Sequence, residues 1–151
     1  MIDTSNILDE ALTQALETSA FLTVMPSQEQ PEPPQRFFQV QIHFKGPACG
    51  TLQIVAGFEL GRILAQNIRG AESTDDDMAI DAIKELANVT CGLLFPMLVS
   101  SEDDLFDATL PEVQEFKQRQ QWEYFAGQND AMIFDVEGLP LVVNLIVSER
   151  Q

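Results

Sequence analysis

Apolar residues return at helical spacing near the start of the chain. Ile7, Leu8, Ala11, Leu12, Ala15 and Leu16 share one face, with Asn6 placed to cap and Asp9 three residues beyond it. This predicts an amphipathic first helix running toward Phe21. The stretch from Pro26 to Gln35, with prolines at 26, 31, 33 and 34, cannot extend that helix and reads as an exposed connector. At Phe38 the period falls to two: Phe38, Val40, Ile42 and Phe44 alternate with Gln39, Gln41, His43 and Lys45, the pattern of a strand with one buried face. The turn Gly46-Pro47-Ala48-Cys49-Gly50 leads back into Thr51 to Ala56, completing a hairpin.

Helical spacing resumes over Glu59 to Ile68, with apolar residues at 60, 63, 64 and 68 and Gly70 available to close the helix. Asp75, Asp76 and Asp77 then open another. A calcium loop needs other spacing and a glycine, whereas acids at a helix start are favoured by its dipole. From Met78 this helix should run to about Phe95, with Pro96 marking its last turn or a kink. Beyond Pro111 the pattern turns extended: Trp122 to Ala126, Ala131 to Val136 and Leu141 to Val147 read as strands of an antiparallel meander, separated by turn residues at 127–130 and 137–140. The expectation is one α+β domain spanning residues 1–151, in which an antiparallel sheet, made of the N-terminal hairpin and the C-terminal meander, packs against about three helices.

Composition narrows the class of partner. Hydrophobic residues make up 45% of the 151, enough for a sizeable core in a single folded domain. Acids outnumber bases 24 to 8, for a formal charge of −16, and such a surface repels phosphate backbones and anionic lipid. Nucleic acid and membrane are therefore disfavoured as partners, and any partner is expected to be a protein. Apolar runs such as Leu93 to Val99 and Leu139 to Val147 are too short to span a bilayer, and no basic-then-apolar leader opens the chain, so a cytoplasmic location is expected. Cys49 and Cys91 lie far apart without a CxxC pair or a neighbouring histidine and read as buried thiols. The single histidine, His43, sits on the polar face of its strand and reads as a surface residue.

Wound as a helix, the segment after Asp77 gathers Ala79, Ile83, Leu86, Ala87, Thr90, Leu93 and Leu94 on one arc. Asp81, Glu85, Asn88 and Gly92 follow at spacings of four, three and four, forming a nearly straight row on the opposite side. Each suits an exposed surface when taken alone. Together they are poor choices for stability. Asp81 and Glu85 are like charges one turn apart, a pairing that costs about 0.2–0.5 kcal/mol, although Lys84 softens it. Asn88 competes for backbone hydrogen bonds, and a helix-interior glycine costs about 1 kcal/mol relative to alanine. Several unfavourable choices on one exposed row are expected where recognition or chemistry overrides folding.

The row in "DAIKELAN", with Asp81, Glu85 and Asn88 followed by Pro111, resembles the signature of the CheC/CheX/FliY family of chemotaxis phosphatases. The match runs back through "ELGRILAQNIRG", similar to the short helix and glycine turn before the motif helix, and forward to Gly92. Only one Glu-x-x-Asn occurs at such a position, which resembles single-site CheX proteins more than two-site CheC proteins.

The resemblance implies a substrate, the aspartyl-phosphate of a phosphorylated, CheY-like response-regulator receiver, and a division of labour. The receiver supplies Mg2+ and the reacting group, so the helper needs no metal ligand, cofactor or nucleophile of its own. An amide can accept from water through its carbonyl and donate through its NH2, the positioning role a glutamine plays in GTP hydrolysis. Asn88 would thus orient the attacking water, while Glu85 engages the receiver. Asp81 would support the interface, and Gly92 would either let the partner's backbone approach or serve helix packing. Pro111 reads as a turn-shaping residue. The resemblance also implies a homodimer. An alternative of the same fold is a non-catalytic receiver-binding or adaptor module. An autonomous small-molecule enzyme has little support, because a convex helix face predicts no pocket.

Overall fold

The computed structural model describes residues 4–19, 22, 24–26, 32–70, 75–99 and 105–149. Helix α1 (Thr4–Ser19) is followed by β1 (Val24–Pro26), β2 (Phe37–Lys45) and β3 (Ala48–Gly57). Helices α2 (Phe58–Arg69) and α3 (Asp76–Leu94) come next, the latter passing into a 3-10 turn over Phe95–Leu98. Strands β4 (Asp107–Ala108) and β5 (Glu112–Phe116), helix α4 (Arg119–Ala126), and strands β6 (Ala131–Val136) and β7 (Leu139–Glu149) complete the chain.

Every strand pairing is antiparallel, in the order β1-β6-β7-β3-β2-β4, with β5 alongside β4 on the same edge of β2. Seven strands thus fill six positions. Period-two alternation sends Val40, Ile42 and Phe44 of β2, Leu52 and Ile54 of β3, and Leu141, Val143 and Leu145 of β7 to one face. There they meet the apolar stripes of α1, α2 and α3 in the main core. An α+β fold with three helices on one sheet face is therefore observed.

The other face carries a helix the sequence pattern concealed. Trp122 to Ala126, expected as a strand, belongs to α4, which places Trp122, Phe125 and Ala126 at helical spacing against the outer sheet face. A capping box between Gln118 and Gln121 starts it. Trp122 meets Phe37 edge-on, with ring centroids 5.2 Å apart, and Phe116 stacks on the same Phe37. Phe37 and Gln39 are consequently buried on what the alternation marked as the polar side of β2. Strand β5, for which the sequence pattern names no separate element within the extended region beyond Pro111, lies at the sheet edge with Glu112 and Glu115 exposed.

Other differences are small. Helix α1 begins at Thr4, so Asn6 lies inside it rather than capping it. Its expected run to Phe21, and residues 27–31 of the connector, lie outside the described residues. Pro26 closes an edge strand, where a missing N–H is tolerated. Cys91 is buried as expected, but Cys49 is only half-buried, and both are free thiols. Among the described residues, no helix is long and apolar enough to cross a membrane.

Candidate functional site

Helix α3 is anchored at its first turn. Asp75 caps it by accepting from the Met78 N–H at 2.9 Å. Asp76 receives Arg36 at 3.0 Å and Arg62 at 3.1 Å, tying the segment before β2 and the middle of α2 to the start of α3. Arg36 also lies over the Phe58 ring, 4.4 Å from its centroid. Along the helix, α2 comes unusually close: a side chain at Gly61 would bring its Cβ within 2.8 Å of the Ala79 Cβ. Helix α2 ends at Gly70, whose φ of 66° and N–H bond to the Gln66 carbonyl make a left-handed C-cap, as the sequence predicts.

Ala79, Ala82, Ile83, Leu86, Ala87, Thr90, Cys91 and Leu94 are buried, so the inward arc of α3 is fixed by the core. That leaves Asp81, Glu85, Asn88 and Gly92 all exposed on the opposite side, a row roughly 16 Å long at 1.5 Å per residue. Glu85 and Asn88 have no side-chain hydrogen-bond or ion-pair partner among the described residues. A Cβ added to Gly92 would meet nothing within 4 Å, which removes the helix-packing explanation for that glycine.

The row is not simply convex. The last turn of α2 stands beside it, and Ile68, Arg69, Asp81, Ala82, Lys84, Glu85 and Asn88 line an open hollow of about 350 Å³. This corrects the expectation of a surface without a pocket, since it depends on where α2 ends relative to α3. Sequence reading also passed over Arg69, whose guanidinium lies 3.9 Å from the Asp81 carboxylate. Its only local signal is a basic residue in the last turn of a helix.

Elsewhere, little competes as a reactive centre. Burial pushes the Cys91 thiol up to about 12, so it is protonated at neutral pH and unsuited to nucleophilic attack. His43 is exposed, with Nδ1 2.9 Å from the Thr51 hydroxyl. Pro111 is half-buried immediately before β5. Among the described residues, no group of three or more His, Cys, Asp or Glu is placed to hold a metal ion.

The family model described as chemotaxis phosphatase CheX matches residues 38–124, more than half of the 151. The chain belongs to the CheX family. The matched span includes α3 and its outward row. Solved CheX structures share the fold across nearly the whole chain. CheX from Desulfovibrio desulfuricans superposes with a TM-score of 0.70 at 16% identity, covering 97% of this chain and 100% of that one. CheX from Vibrio vulnificus gives 0.71 at 19% identity, covering 97% of each. The CheX–CheY complex with BeF3 and Mg2+ from Borrelia burgdorferi gives 0.70 at 17% identity, covering 99% of this chain and 100% of that one. Comparison with curated protein sequences gives no match.

Proposed function

We propose that this CheX-family chain is a phosphatase acting in trans on the aspartyl-phosphate of a CheY-like receiver. In this reading Asn88 orients the attacking water and Glu85 engages the receiver, with Asp81 and Gly92 at the interface. The observation that carries it is the pairing of a carboxylate and a carboxamide, both unpartnered among the described residues, on consecutive exposed turns of α3, a helix immobilised on its other side by the core. Two such groups can enter another protein's cleft without first breaking bonds of their own.

The chemistry suits what the residues offer. An acyl phosphate is already activated, and in-line attack by water requires a group that accepts from that water and holds it in line. The Asn88 carbonyl can accept, and its NH2 can donate to a phosphoryl oxygen. Mg2+ is assigned to the receiver in this reading, and the CheX–CheY complex from Borrelia burgdorferi was solved with BeF3 and Mg2+.

The test is to phosphorylate a CheY-like receiver with a small acyl-phosphate donor and follow phosphate loss with and without this protein. A shortened phosphate lifetime is expected. Tight binding with an unchanged lifetime would overturn the enzymatic reading in favour of a binding module. A homodimer belongs to the same proposal, supported by Ile146 and Tyr124, which remain exposed on the side of the sheet where α4 packs. Sedimentation should give twice the chain mass of 16.8 kDa, and a monomer at all concentrations would remove this part.

A further inference from the structure

The chain is strongly acidic, yet its few cations are unevenly committed. Arg36 and Arg62 both pair with Asp76, and Arg119 pairs with Glu123 at 3.3 Å. Lys45 ends β2 and Lys117 follows β5, and neither lines the hollow beside α3. Arg69 and Lys84, by contrast, both line the hollow that holds Glu85 and Asn88. Arg69 is held only loosely. It lies 3.9 Å from Asp81, and both side chains are about half exposed, at 49% and 53%. An ion pair of that length and exposure is readily exchanged for a better partner.

We propose that Arg69, steadied by Asp81, is a specificity residue of this hollow that takes the anionic face of the phosphorylated receiver. The inference rests on the receiver-phosphatase reading above and adds to it the group that recognises charge. A receiver active site bearing a phosphoryl group presents anionic oxygens, and a guanidinium offers donors in a planar fork matched to such oxygens. The formal charge of −16 opposes the approach of any anionic partner at long range. A cation beside the reacting groups supplies the local attraction that the whole surface lacks. Asp81 is then a positioning residue: it keeps Arg69 over the hollow while the site is empty and releases it on docking.

The experiment measures binding of the full chain to a CheY-like receiver loaded with BeF3 and Mg2+, at low and high ionic strength, for the parent, Arg69→Gln and Arg69→Lys. Arg69→Gln should weaken binding about three- to tenfold at low salt, and the deficit should shrink as salt screens the contact. Arg69→Lys should recover most of the loss. Against the phosphorylated receiver, Arg69→Gln should raise KM while leaving kcat within about twofold. Unchanged low-salt binding in Arg69→Gln would overturn the proposal. So would a deficit that ignores salt, or a fall in kcat as large as that in kcat/KM, because each marks a structural role. Asn88→Ala run beside them separates the two readings. If it hydrolyses like the parent, the water-positioning assignment fails, whereas the binding series still decides the role of Arg69.

Discussion

On the inward face of α3, Ile83 and Leu94 are fully buried, and the one polar residue among the buried set, Thr90, is satisfied by donating its hydroxyl to the Leu86 carbonyl at 2.7 Å. On the outward face of the same helix, Glu85 and Asn88 stand exposed without a partner among the described residues. Two glycines sharpen the contrast. Gly61 of α2 is required by the approach of Ala79, where an added Cβ would lie 2.8 Å from its neighbour, whereas Gly92 borders open space. Packing accounts for the choices on the first face, and on the second only Asp81 has a partner within the described residues, Arg69. That asymmetry is the physical basis for proposing a site there.

Substitutions on the two faces should fail in different currencies. Ile83→Ala, on the buried side, should cost about 2–5 kcal/mol of stability in urea unfolding through lost burial and a cavity. A loss below about 1 kcal/mol would mean that α3 is not held by this core. Glu85→Ala, on the open side, should weaken receiver binding by about tenfold or more. Its stability should hold or rise by about 0.2–0.5 kcal/mol, because repulsion from Asp81 is relieved. A destabilised Glu85→Ala would erase the distinction between the faces. Gly92→Ala should stabilise the free protein by about 0.5–1 kcal/mol, since the helix gains and nothing clashes. Its affinity for the receiver should fall slightly, and an unchanged affinity would remove Gly92 from the interface.

Much of this was legible from residue order. The period-two strand pattern after the proline-rich connector, the αL glycine at 70 and the acidic start of α3 each follow from local rules, although β2 begins one residue earlier, at Phe37. The outward row was legible for the same reason, since helical phase alone separates Glu85 from Leu86. What escaped depended on distant parts of the chain. A five-residue stretch with three aromatics, Trp122 to Ala126, fits either a strand or one face of a short helix, and the Gln118–Gln121 capping box that favours α4 is a weak signal in sequence. Strand β5 carries acids on its open side, as an edge strand tolerates, and so lacks a clean alternation. Burial of Gln39 follows from the cover on the outer sheet face, which no local pattern on β2 could reveal. Arg69 joins the hollow only because α2 ends beside α3.

The most direct measurement is single-turnover phosphate loss from a phosphorylated CheY-like receiver, comparing the parent with Asn88→Ala alongside their affinities for the same receiver loaded with BeF3 and Mg2+. If the Asn88 carboxamide places the water, Asn88→Ala should bind nearly as tightly as the parent yet hydrolyse about 10²-fold more slowly or worse. Hydrolysis at the parental rate, with binding intact, would contradict the account.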